Sequence, residues 1–256
     1  MLPGVTEDDA REPSEEPVKS RPARKSLPLW QESILLLTIA IVLAVVIKAF
    51  FVQAFYIPSA SMEPGLVDND RILVEKPSYW GGGTPQRGDV VVFKDPGGWL
   101  SAEESAGSSN PVAQALERIG LYPSGGHLVK RVIGVAGDTV SCCDARGRLD
   151  VNGHPLDTSG VTARSGEKCD GPEVDSCQGD WTVGPVPTGD LFVMGDNRAH
   201  SADSAYHVCH PRAAGCGQGP VFVPVSDVVG KAVLLMWPFG RAHVLHRPPG
   251  FAAVAN

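Results

Sequence analysis

The stretch HLVKRVIGV, from His127 to Val135, is dense in β-branched and aliphatic residues and carries a glycine near its end. That composition suits a pleated, half-buried surface better than a helix. The same texture recurs in RILVEK from Arg71, GDVVVFK from Gly88, DTVSCC from Asp138, DLFVMGD from Asp190 and KAVLLMWPF from Lys231. Short runs of this kind, bounded by Gly, Pro and Asp, predict a mainly β, antiparallel domain. Within RLDVNGHPLD, Asn152-Gly153 separates two potential strands, and Asn-Gly supplies the two positive φ angles of a tight type I′ hairpin. Helical spacing is confined to PVAQALERIGL, from Pro111 to Leu121, flanked by Gly- and Ser-rich loops.

Upstream, the chain reads ILLLTIAIVLAVVI from Ile34, is interrupted by Lys48, and resumes as AFFVQAFYI up to Ile57. Crossing a bilayer as a helix takes about 20 apolar residues. A span therefore uses both parts and is placed at residues 30–52, with the Lys48 ammonium reaching toward the headgroups. The region is too long, and too far from the start, for a cleaved secretory signal. Residues 1–29 mix charges and prolines without apolar periodicity and read as a disordered tail. Lys19, Arg21, Arg24 and Lys25 closely precede the span, which predicts a cytoplasmic N-terminus and an extracytoplasmic domain at 53–247. Residues 141–181 read as an inserted cysteine-containing region, and 248–256 as a C-terminal tail. Phe50, Phe51, Phe55 and Tyr56 suit either the membrane interface or the core of a first strand.

With 43% hydrophobic and 20% charged residues the chain can build a substantial core. A net charge of −7 and the absence of a Lys/Arg cluster after the span give no reason to expect nucleic acid. The cysteines Cys142, Cys143, Cys169, Cys177, Cys209 and Cys216 all follow the span, as expected for exported, disulfide-bonded protein, with Cys209–Cys216 the preferred single bridge. A metal site built on His207, Cys209 and His210 is disfavoured, since neither a CxxC pair nor finger spacing occurs. Neither a phosphate-binding loop nor a dinucleotide fingerprint is present, so no cofactor is expected.

Two serines bracketed by prolines, PSASMEP from Pro58, stand where the chain leaves the span. Alone they would read as turn hydroxyls. They are followed in order by RGDVVVF from Arg87, VKRVIGVAGD from Val129 and GDNRAHSADS from Gly195. Together these boxes resemble the type I signal peptidases, bacterial Ser/Lys serine peptidases, over roughly Ile34 to Pro238. The resemblance implies a signal-peptidase-like antiparallel β-sheet domain, one N-terminal transmembrane helix and a smaller inserted β region.

It further implies that Ser61 attacks the scissile carbonyl to form an acyl-enzyme, and that Lys130 removes its proton. A free Lys is protonated at neutral pH and becomes a base only when its pKa falls, which desolvation achieves. Strand alternation puts Leu128 and Val132 on the face of Lys130 and turns Arg131 away. By the same resemblance the Ser59 hydroxyl and the Ser61 N–H form the oxyanion hole, Ser201 holds the Lys130 amine, and Asp196 pairs with Arg131. Asn197, Arg198 and Asp203 give structural support. The chain departs from the family pattern at Ala205, where Arg is common, which leaves Asp203 without its expected partner and Arg198 as a substitute. It departs again at Gly65, where Thr is common.

The implied substrates are exported pre-proteins with small residues at the first and third positions before the cut, with membrane lipid and the secretion machinery as further partners. An extended substrate adds to a sheet edge, with the strand leading into Pro58 as one such edge. A His200-Ser201-Asp203 triad is a rival arrangement, disfavoured because adjacent strand residues diverge. A peptidase dedicated to maturing one secreted protein, and an inactive peptide-binding relative, are the alternative functions.

Overall fold

In the computed structural model the described residues are 28–101, 110–111, 125–142, 144, 148–158, 181–198, 200–208, 219–252 and 254. Residues 1–27 of the expected tail, nearly all of the expected helix at Pro111–Leu121, most of the inserted cysteine-containing region and the Cys209–Cys216 bridge lie outside them. Cys142, the one cysteine inside them, is buried.

Helix α1 runs from Leu29 to Val46, 18 residues of apolar sequence. At ~1.5 Å per residue it is roughly 27 Å long, near the ~30 Å hydrocarbon thickness of a bilayer. It is long and apolar enough to cross a membrane. Its two central hydroxyls are spent internally: Ser33 Oγ donates to the Leu29 carbonyl and Thr38 Oγ1 to that of Ile34, each at 2.8 Å. Neither hydroxyl then needs water. A π-helical turn, Ile47–Phe51, follows, and strand β1 begins at Val52.

The strands are β1 (Val52–Tyr56), β2 (Arg71–Glu75), β3 (Val90–Lys94), β4 (His127–Gly134), β5 (Val140–Cys142), β6 (Asp150–Val151), β7 (His154–Pro155), β8 (Trp181–Val183), β9 (Asp190–Met194), β10 (Val223–Pro224), β11 (Val228–Trp237) and β12 (His243–Val244). The larger sheet is ordered β1-β2-β11-β3-β4-β9-β10, with β12 on β11. The smaller one is β7-β6-β5-β8. Every pairing is antiparallel. The mainly β fold with a smaller β region, expected from the strand texture and the family resemblance, is the fold observed. Asn152 and Gly153 take φ of 56° and 81° at the β6–β7 turn, as a type I′ hairpin requires.

Strand β3 explains why the sheet is covered on both sides. Val90 and Val92 pack with Ile72, Val74 and Leu235, whereas Val91 and Phe93 pack with Val132, Leu191 and Val193. A continuous apolar run of this kind belongs to a strand buried on both faces. A third cluster joins the small sheet (Val140, Val151, Trp181) to Phe192 and Met194 and takes in Phe251 and Val254 near the C-terminus.

Strands β1 and β4 are separated by three others in the sheet order, a distance of roughly 19 Å if the sheet were flat. Yet the Phe55 and His127 rings lie 5.4 Å apart. The sheet therefore coils until β1 faces β4 across a slot. The aromatic run at the end of the apolar stretch is divided accordingly: Phe55 is buried, and Phe50, Phe51 and Tyr56 are exposed.

Candidate functional site

The chain leaving β1 turns sharply at Ala60–Met62, a single 3₁₀ turn that carries Ser61. Asn197 clamps this turn twice: its backbone N–H donates to the Ser61 carbonyl and its Nδ2 to that of Ala60, both at 3.1 Å. Ser59 and Ser61 place their Oγ atoms 3.2 Å apart. Met62 is buried beneath the turn with Ile57 and Leu66.

Lys130 lies on β4 opposite Val91 of β3 and is 3% exposed. Burial lowers its amine pKa from the ordinary 10.5 to about 8, against the opposing pull of Asp203 and Asp196. Its flanking residues behave as strand alternation demands: Leu128 and Val132 belong to one core cluster and Val129 to the other. Ser61 and Lys130 line one cleft of ≈ 610 Å³, together with the end of β1 from Phe55 to Ser59 and the start of β4 from His127. Among the described residues no hydrogen bond joins Lys130 to Ser61, and such contacts commonly tighten only when substrate is bound.

Arg131, the next residue, is also buried. Its Nε and Nη2 donate to the two carboxylate oxygens of Asp196 at 2.7 and 2.6 Å, and Nη1 donates to the Gly88 carbonyl at 2.8 Å. The expected pairing of Asp196 with Arg131 thus links the Arg-Gly-Asp, Lys-Arg and Gly-Asp-Asn boxes through one guanidinium.

Asp203, which lacks the arginine common in the family at the position of Ala205, is met by other donors. Its Oδ2 accepts from the Ser201 hydroxyl at 2.5 Å and from the Gly195 N–H at 2.8 Å. Its Oδ1 accepts from the N–H groups of Ala205 and Tyr206, capping the short helix α2, Ser204–His207. These neutral donors satisfy the carboxylate without an arginine. The sequence signal is an Asp immediately before a short helical segment. Arg198 is buried nearby in the chain.

Ser201 lies within this group rather than on an exposed loop. Its hydroxyl donates to Asp203, which leaves the oxygen lone pairs able to accept a hydrogen bond. Ser201 bonds Asp203 directly, whereas a His200 triad would need the imidazole between them. Gly195 was not singled out from sequence. A Cβ at this position would strike Ser201 Oγ and the Ser61 carbonyl oxygen, so the missing side chain lets the first and fourth boxes touch. At Gly65, by contrast, a Cβ would meet only ordinary contacts, the nearest being the Met62 carbonyl oxygen at 3.7 Å.

Comparison with known proteins identifies the family of the chain. The model of the family described as signal peptidase, peptidase S26, matches residues 30–237. The chain is 42% identical over 233 residues to the signal peptidase I of Mycobacterium tuberculosis, covering 86% of this chain and 76% of that one. It is 32% identical over 241 residues to the signal peptidase I of Leptolyngbya laminosa, covering 93% and 94%. A crystal structure of a signal peptidase I from Enterococcus faecalis aligns with a TM-score of 0.34 at 24% identity, over 57% of this chain and 95% of that one. The chain belongs to the signal peptidase family, peptidase S26, and is a serine endopeptidase.

Proposed function

We infer that the protein removes N-terminal signal peptides from exported pre-proteins, with Ser61 as nucleophile and Lys130 as general base. The observation that carries this reading is the buried Lys130 amine, its pKa lowered by desolvation to about 8, lining the same cleft as Ser61. At that pKa an appreciable fraction of the amine is neutral near pH 7–8 and able to take a proton.

Lys130 Nζ accepts the Ser61 proton as Oγ bonds to the scissile carbonyl carbon. The negative charge that develops on the carbonyl oxygen is met by the Ser61 N–H and the Ser59 hydroxyl, and such donors are each worth about 10²–10³ in rate. The Lys130 ammonium then passes its proton to the departing amine of the mature protein. The signal peptide remains as an ester on Ser61 until a water, deprotonated by the same amine, releases it. Ser201, Asp203 and Asn197 hold the amine and the serine turn in register. Small shallow subsites select Ala-x-Ala type sequences, and main-chain hydrogen bonds to the slot between β1 and β4 hold the peptide extended.

Helix α1 anchors the chain with its N-terminus cytoplasmic and the peptidase domain outside. Substrate signals share the same bilayer, so anchoring raises the effective concentration of one near the other and places the enzyme beside the secretion machinery.

The test is cleavage of a pre-protein with an Ala-x-Ala site by the full, detergent-solubilised chain. Wild type cuts after the second Ala, and folded Ser61→Ala and Lys130→Ala variants lose about 10⁴-fold or more in kcat/KM. Cleavage that persists in folded Lys130→Ala overturns the assignment.

A further inference from the structure

The loop after β3 contributes two residues, Trp99 and Leu100, to the cleft that holds Ser61 and Lys130. Neither belongs to any of the boxes. The loop is built to hold them: the Asp95 carboxylate accepts the N–H groups of Gly97, Trp99 and Leu100 at 3.0, 3.1 and 3.4 Å. Gly97 and Gly98 take φ of 117° and 81°, a turn that L side chains rarely adopt.

The Trp99 ring is fixed on three sides. Its Nε1 donates to the Pro220 carbonyl at 2.9 Å. It stands edge-on to Phe93, with centroids 5.8 Å apart at 87°. It also stacks flat on His207 at 4.8 Å and 7°. A ring held this way presents a fixed apolar surface at little entropic cost when a ligand meets it. His207 Nδ1 is in turn 2.7 Å from the Asp203 carbonyl oxygen, so this wall and the Ser201–Asp203 group share one foundation.

Register places the wall relative to the chemistry. Phe93 pairs with Leu128, and Val91 with Lys130. The wall therefore stands two residues along β4 from Lys130, a backbone offset of roughly 7 Å. The cleft has two chemically distinct sides. Ile57, Met62 and Val129 belong to the core cluster beneath the Ser61 turn, whereas Trp99 and Leu128 belong to the cluster behind Lys130.

We propose that Trp99 and Leu100 form an apolar subsite for the second residue before the scissile bond. This rests on the signal-peptide reading above. The acyl half of the substrate stays bound through the ester step, so the cleft holds the residues before the cut. The residue joined to Ser61 packs on the side of Met62 and Ile57, and the third residue follows it there by the two-residue period of an extended chain. The second residue then turns to Trp99 and Leu100. An uncharged, apolar side chain fits this wall, and a carboxylate meets it without a hydrogen-bonding partner.

The test uses the full, detergent-solubilised chain and pre-proteins that differ only in that second residue: Ala, Leu or Asp. Wild type prefers Leu to Asp by about tenfold or more in kcat/KM. Leu100 is only partly buried, so Leu100→Ala is expected to fold. It compresses the Leu-to-Asp preference by about tenfold. Trp99→Phe, which keeps a ring in the core but loses the bond to Pro220, reduces the preference in the same direction. An unchanged Leu-to-Asp ratio in both folded variants overturns the subsite alone. Failure of wild type to cut any of the three overturns the signal-peptide reading and the subsite with it.

Discussion

Lys130 and Arg131 are neighbours on one strand, both cations and both buried, and they meet opposite surroundings. Arg131 receives a bidentate carboxylate and a carbonyl. Among the described residues Lys130 has no ion pair, and Leu128 and Val132 pack along its face. A guanidinium with matched acceptors stays charged and ties loops together. An ammonium deprived of water and of close acceptors gives up its proton more easily. The difference shows that burial alone does not decide a charge's role: the partners on each face of the strand do.

The largest effect expected from breaking this contrast is on the paired side. Asp196→Ala leaves the Arg131 guanidinium buried without its carboxylate, which costs about 3–5 kcal/mol. Urea unfolding of the detergent-solubilised protein measures it. Replacing the unpaired side has the reverse sign. The folded chain holds the Lys130 pKa at about 8 instead of 10.5, so below pH 8 it carries the full cost of a buried ammonium. That cost fades as pH rises from about 8 toward 10.5, because the unfolded chain binds the proton more tightly across this window. Lys130→Met removes the cost and is expected to stabilise the protein at pH 7 by on the order of 3 kcal/mol while abolishing cleavage. The gain should shrink at pH 10, and unfolding at the two pH values checks it. The smallest effect is a tuning one. Val132→Thr puts a hydroxyl on the face of Lys130 and shifts the rising limb of the pH–rate profile upward by less than about one unit, since one polar neighbour reverses only part of the desolvation.

The elements read well from sequence were those whose signal is local. The β-branched runs became β2, β3, β4, β5, β9 and most of β11, and Asn152-Gly153 made its hairpin. The alternation around Lys130 placed Leu128 and Val132 correctly because a strand's period does not depend on what it packs against. Strands β8 and β10, of three and two residues, carry too little pattern to register. The coiling of β1 toward β4 depends on the twist of the whole sheet and has no local signature.

The same division holds at the site. The Arg131–Asp196 pair was implied by the family resemblance, whereas the clamp of Asn197 on Ala60 and Ser61 joins residues far apart in sequence. The place of Asp203 as the cap of α2 depends on a helix of four residues, too short to carry a periodic signal. Gly195 matters through the side chain it lacks, which only a neighbouring atom can reveal. Trp99 reaches the cleft from a Gly-rich loop whose sequence marks a turn but not a destination.

The measurement that tests the central claim most directly is the pH dependence of kcat/KM for an Ala-x-Ala pre-protein, in wild type and in His200→Ala. A general base formed by the desolvated Lys130 amine predicts a rising limb near pH 8 in both proteins. A limb near pH ~6.5, the ordinary range of an imidazole, that disappears in His200→Ala would contradict it.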